Sequence, residues 1–134
     1  MNSKTKGNNF ENRIKKYLES LGYTVDKARA ALKFAGPGKY FSSPNDFWGV
    51  ADLIAFRKDR AYTLIVQAHA GHDVGPRQRK LEALPWHPTA QRVQLWVKQP
   101  SFQSGIRSLW LDNGTWKEYI WRLKDGQEPV GGLL

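Results

Sequence analysis

The sequence predicts an α/β fold in which helices cover the faces of a mixed sheet. Three observations carry that expectation. Two apolar runs, residues 52–56 and 62–70, flank the polar stretch Arg57-Lys58-Asp59-Arg60, which reads as two antiparallel strands. A helical apolar period precedes them, and a short helical segment opening on Pro76 follows them. Near the C-terminus, Asn113-Gly114 sits between two strand-like runs, the strongest short hairpin pattern.

The elements follow in order. Residues 1–9 are polar. Phe10, Ile14, Tyr17, Leu18 and Leu21 then recur at helical spacing, a stripe about 100° wide that Gly22 stops. Glu11 borders this stripe beside Leu18, with Lys15, Lys16 and Glu19 further from its centre. Its carboxylate either looks along the core surface or complements the positive end of the helix. Tyr23-Thr24-Val25 opens a strand that runs to about Arg29. Residues 28–34 show no clear period. Gly36-Pro37-Gly38-Lys39 and Ser42-Ser43-Pro44-Asn45-Asp46 read as loops. The first of them matches neither the P-loop nor the dinucleotide fingerprint.

The strand pair comes next, then a loop over residues 71–75. Pro76 suits the first turn of a helix reaching Leu84, before Pro85 and Pro88. In it Leu81 and Leu84 face inward, while Arg77, Arg79 and Lys80 face mostly outward. Residues 92–98 alternate as a strand, with Val93, Leu95 and Val97 on one side. Residues 106–111 and 115–123 flank Asp112-Asn113-Gly114. The tail from Lys124 to Leu134, rich in Gly and polar residues, reads as marginal. The whole reads as one unit, residues 1–134, with a core from about 6 to 99 and a C-terminal β-hairpin at about 106–123.

Composition narrows the function. The chain is 40% apolar with six Trp, six Phe and five Tyr, enough for a sizeable core. It has no cysteine, which excludes disulfides, thiolate metal sites and a Cys nucleophile. No apolar run approaches a membrane span, and no signal-peptide core follows MNSKTKGNN, so the expectation is a cytoplasmic protein without a membrane partner. The net charge is +9, with 21 Lys and Arg against 12 Asp and Glu. A polyanion is the partner this favours: nucleic acid first, an anionic membrane surface second. The bland alternative is a solubility device. Arg77, Arg79, Lys80 and Lys15 are the candidates for facing a phosphate backbone, or else they lie on ordinary solvated faces.

Strand alternation concentrates chemistry at one place. Asp52 shares a face with Ile54 and Phe56, and Gln67 and His69 share one with Thr63 and Ile65. Antiparallel pairing brings Asp52 to the Gln67 and His69 end. Packing gives no reason for an acid, an amide and an imidazole there.

From Lys6 to Val97 the chain resembles the PD-(D/E)XK nuclease superfamily, and most of all its Holliday-junction-resolvase-like and phage-type members. The resemblance rests on a first helix with Phe10-Glu11, then Gly22-Tyr23-Thr24-Val25, Ala51-Asp52-Leu53-Ile54, Val66-Gln67-Ala68-His69 and a further helix. That family places an Asp at the start of the second core strand and an acid-x-Lys on the third. Asp52 fits the Asp, Gln67 stands where Glu or Asp is expected, and His69 stands where Lys is expected. Asp46, six residues upstream, looks like a second Asp of a variant motif.

The resemblance implies a restriction-endonuclease-like sheet and a DNA-binding, divalent-metal-dependent endonuclease, either structure-selective in the manner of a junction resolvase or nonspecific. It makes Asp52, Gln67, His69 and Glu11 catalytic candidates. Asp52, Glu11, Gln67 and Asp46 become ligand candidates for Mg2+ or Mn2+, with the Ala68 carbonyl beside them. Such an ion polarises the phosphate and acidifies a water, and Mg2+ takes carboxylates while keeping several waters. Gln67 still offers a carbonyl oxygen. His69, with an ordinary pKa of about 6.5, suits a general base but cannot supply the permanent charge of Lys. Duplex or branched DNA is the implied partner, and a homodimer would match a two-fold substrate.

Other readings stay open. Gln for Glu removes a negative charge and His for Lys weakens the cation, so the same fold could serve as a catalytically inactive nucleic-acid-binding or accessory module. RNA binding without chemistry is a third reading. A zinc site from His69, His72, Asp52 and Asp46 is a fourth, although its His spacing does not match a helix pair. His87, close to Pro85 and Pro88, reads as a surface residue. The Trp-rich C-terminal part either fills the core or stacks on bases.

Overall fold

The apolar stripe of the first helix meets its partner in a twisted sheet. The computed structural model describes residues 3–28, 32–42, 47–99, 105–129 and 132–134. Among them lie two helices, α1 (Ser3–Ser20) and α2 (Val74–Glu82). The strands are β1 (Thr24–Lys27), β2 (Leu32–Gly36), β3 (Lys39–Ser42), β4 (Leu53–Phe56), β5 (Thr63–His69), β6 (Gln91–Lys98), β7 (Gly105–Asp112) and β8 (Thr115–Arg122). Six strands form one sheet in the order β1-β4-β5-β6-β7-β8. Every neighbouring pair is antiparallel except β5 and β6, which run parallel. A parallel pair needs a crossover connection, and the segment carrying α2 supplies it. The mixed α/β sheet and the C-terminal hairpin expected from the sequence are therefore present.

Strand alternation sorts the sheet into two apolar faces. Leu53 and Ala55 of β4, Leu64 and Val66 of β5, Trp96, Ile106 and Trp121 pack with Phe10, Ile14, Tyr17 and Leu18 of α1. Ile65, Val93, Leu95, Val97 and Leu109 face the other way, against Leu81 of α2 and Val50 and Ala51. Tyr17, Trp96 and Trp121 form a ring cluster with centroids 5.1 to 6.3 Å apart, so two of the Trp side chains are core. Such pairs contribute about 0.5–1.5 kcal/mol beyond their buried area.

Four boundaries differ from the sequence expectation. Helix α1 begins well before Phe10, at Ser3. Helix α2 begins at Val74 and ends at Glu82, with Pro76 in its first turn, where a missing N–H leaves no helical bond unmade. Residues 32–42, read as irregular, form the separate β2–β3 hairpin. A register shift between Phe34 and Gly36 interrupts the two-residue period that would have revealed it. Ser43 to Asp46 lie outside the described residues.

The fourth difference is the tail, which is not marginal. Leu133 is fully buried and Leu134 nearly so, both in the α1 core. The buried Gln94 amide donates to the Leu133 carbonyl at 2.6 Å and accepts from Trp96 Nε1 at 2.6 Å. Tyr17 donates its hydroxyl to the Gln127 carbonyl at 2.6 Å. Two leucines without a period cannot be told from a polar loop by sequence. Among the described residues no helix is long and apolar enough to cross a membrane.

Candidate functional site

The site is built where β4 begins and β5 ends. Asp52 precedes the first residue of β4, where the ladder needs closing. Its N–H donates to Val66 O at 2.9 Å, and its carbonyl accepts the Ala28 N–H at 2.9 Å. Its Oδ2 accepts the Ala68 N–H at 2.8 Å. One residue thus ties the end of β1 to β5 through main chain and carboxylate.

The β4–β5 register ends with Leu53 opposite Val66, and Asp52 reaches past it, its N–H on the Val66 carbonyl and its carboxylate on the Ala68 N–H, on either side of Gln67 along β5. Gln67 and His69 alternate with Val66 and Ala68, hence they lie on the α2 side. Gln67 is 5% exposed, and its Oε1 is buried without a hydrogen-bond partner. His69 is 7% exposed, and its Nε2 lies 2.7 Å from Oδ1 of Asp73, just before α2. Burial pushes the His69 pKa down, Arg77 adds to this, and Asp73 opposes it. The imidazole is therefore mainly neutral at pH 7. The Asp73 carboxyl is held below the usual range by a backbone hydrogen bond and then by His69. Gly71 packs across this pair: a Cβ there would lie 2.9 Å from His69 Cε1 and 3.3 Å from Asp73 Oδ1. A methyl group would have to push the pair apart.

Glu11 does not join this group. Its helix covers the other face of the sheet, and its Oε2 pairs with Lys27 Nζ at 3.5 Å, while Lys27 also donates to Asn12 Oδ1 at 3.0 Å. Asp46 lies outside the described residues. His72 is exposed. Among the described residues, no three His, Asp or Glu side chains gather closely enough to hold a metal ion, and the zinc set is not assembled by them. The basic candidates fall in two layers. Arg79 and Lys80 are exposed on α2, and Arg77 is half-buried with its Nε lacking a hydrogen-bond partner. Lys15 lies on α1.

The sequence placed Gln67 and His69 on one face of β5 but missed Asp73, the residue His69 meets. The His-x-x-x-Asp spacing was present, yet it crosses a strand-to-helix turn, where no fixed period relates two side chains. The donors at this strand end, a carboxylate and a buried amide oxygen without a donor, are of the oxygen type that a hard cation takes. No family model matches the chain, nor does any curated protein or solved structure.

Proposed function

We propose that this chain is a DNA-binding, divalent-metal-dependent endonuclease of the PD-(D/E)XK type, built on a restriction-endonuclease-like sheet. The observation that carries the proposal is the buried, unpartnered Oε1 of Gln67, between the two β5 residues, Val66 and Ala68, that Asp52 bonds. A buried acceptor left without a donor costs about 1–3 kcal/mol. Asp52 and Gln67 would hold a Mg2+ or Mn2+ ion, whose chemistry there would be to polarise a phosphate and acidify a water. The neutral His69 would serve as the proton acceptor. Asp73 holds the ring in one orientation and stabilises the imidazolium that results. The +9 charge draws in the polyanion.

A second reading has its own support. Glu11 is tied to Lys27, and the Gln67 amide replaces a carboxylate, so the site is poorer in negative charge than the family motif. On this reading the chain is a catalytically inactive nucleic-acid-binding module on a nuclease fold.

One assay separates them. Wild type, Asp52→Asn and the double variant Gln67→Glu/His69→Lys are tested with Mn2+ on branched, duplex and single-stranded DNA. Cleavage by wild type that Asp52→Asn abolishes supports the enzyme. An inert wild type beside an active double variant supports the module. If no form cuts or binds, both readings fail.

A further inference from the structure

The turn between residues 47 and 51 holds an aromatic side chain at considerable cost. The Phe47 carbonyl accepts the N–H of both Val50 and Ala51, closing the turn. Inside it Trp48 has φ 54° and Gly49 has φ 73°. Glycine adopts that region freely, whereas a bulky residue does not. The Trp48 side chain is also 58% exposed. A strained backbone and a large apolar ring in water thus meet at one residue, a pattern that clusters at functional sites.

The ring is not isolated. It stands edge-on to Trp86, with centroids 5.9 Å apart and planes at 75°, and packs on Phe47 at 5.8 Å. Trp86 is anchored by its Nε1, which donates to the Leu81 carbonyl at 2.6 Å. It also lines a cavity of about 500 Å³ bounded by Tyr62, His87, Arg92, Trp110 and Asn113. Tyr62 precedes β5, so this cavity lies at the end of that strand remote from His69.

The cavity joins flat rings to cations. The Arg92 guanidinium lies 4.0 Å from the Tyr62 ring centroid and 4.2 Å from that of Trp110. Lys117 Nζ sits 5.0 Å from the Trp110 centroid. Of the two carboxylates at the rim, Glu82 accepts from Trp116 Nε1 at 2.5 Å and Asp112 pairs with Lys117 at 2.6 Å. Arg92, which also donates to the Gly132 and Leu133 carbonyls, covers the Tyr62 and Trp110 rings, so the ring presented to a ligand is the exposed Trp48, and the cations of the adjoining cavity lend positive potential to an anion attached to a stacked ring. A nucleotide combines the two chemistries.

We propose that Trp48, Trp86 and the adjoining cavity form a stacking site for an unpaired nucleobase. The preferred ligand is then DNA with unstacked bases, a single strand or a branch, because a continuous duplex has no free base face to offer. This inference rests on the nucleic-acid reading above and narrows its substrate class.

The test uses a short single strand carrying one 2-aminopurine and the matching duplex, at low salt, followed by anisotropy and by 2-aminopurine emission. Wild type should quench the probe in the single strand. Trp48→Ala should remove the quenching and weaken single-strand binding about 5- to 150-fold, the usual loss for one stacked base, with duplex binding unchanged. Thermal denaturation of Trp48→Ala should show an intact fold, since the side chain is exposed. If wild type binds DNA in a salt-dependent manner but the probe stays bright and Trp48→Ala changes nothing, the stacking site is overturned and the nucleic-acid reading stands. If Trp48→Ala weakens duplex and single strand equally, the preference for unstacked bases is overturned. If wild type binds neither, both inferences fall.

Discussion

The His69 imidazole and the Asp73 carboxylate meet at 2.7 Å across the turn that leads from β5 into α2. Burial and the Arg77 charge nevertheless hold the His69 pKa below its ordinary value. The unfolded chain takes up this proton near pH 6.5, before the folded protein does. Stability linked to His69 is therefore fully present above about pH 6.5 and is lost as pH falls toward the lower folded value. Denaturant midpoints measured on metal-free protein should drop between about pH 7.5 and about pH 5.5. Asp73→Asn removes the group that resists the shift and should deepen this loss. His69→Gln should make the profile flatter than wild type, and an unchanged profile would show that His69 is not held neutral.

Asp52 has two roles that substitutions can separate. Its Oδ2 accepts the Ala68 N–H at 2.8 Å, and its place beside Gln67 on β5 makes it a candidate ligand. Asp52→Ala leaves that N–H without its acceptor and should cost about 1–3 kcal/mol in urea unfolding. Asp52→Asn keeps a carbonyl oxygen that can accept the bond, so it should cost clearly less. Cleavage, if present in wild type, should be lost in both. An Asp52→Asn variant as unstable as Asp52→Ala would show that the charge, not the acceptor, holds the strand end.

Local patterns were legible in the sequence, and long-range meetings were not. The two-residue period placed Gln67 and His69 on one face, and the polar break between the two runs brought Asp52 to the same end of β5, at Val66 and Ala68. Asn113-Gly114 marked the hairpin because its turn geometry is local. The position of Glu11 depended on which face of the sheet α1 covers, and nothing in a helix period says that. Lys27 reaches Glu11 only because β1 is the edge strand beside β4. The burial of Leu133 escaped for the same reason, since it depends on contacts that no short window contains, whereas the β2–β3 hairpin is local and was hidden by the register shift that interrupts its two-residue period.

The basic residues predict a one-sided DNA footprint. Arg79 and Lys80 are exposed on α2, whereas Lys15 belongs to α1 on the other face of the sheet. DNA lying along α2 should touch the first two and not the third. Each neutralised phosphate adds about −0.9 to the slope of log K against log salt. Arg79→Ala with Lys80→Ala should make that slope shallower by about 1.8 on duplex DNA. Lys15→Ala should leave it unchanged. A slope that responds to Lys15 and not to the α2 pair would move the footprint to the other layer.

Trp48 allows the strain in its turn to be measured apart from any ligand. At an ordinary exposed site, alanine stabilises over glycine by about 0.4–1 kcal/mol, because glycine has more unfolded freedom to lose. With φ at 54° the order should reverse. A Cβ in the left-handed region costs about 1–2 kcal/mol, and glycine avoids it. Trp48→Ala and Trp48→Gly lose the same ring contacts with Phe47 and Trp86, so the difference between the two variants isolates the backbone. Trp48→Gly should be the more stable by about 1 kcal/mol in denaturant unfolding. Equal stability, or Trp48→Ala ahead, would mean that the turn relaxes once the ring is gone. The conformation would then be held by the Phe47 and Trp86 contacts rather than by the Phe47–Ala51 hydrogen bonds.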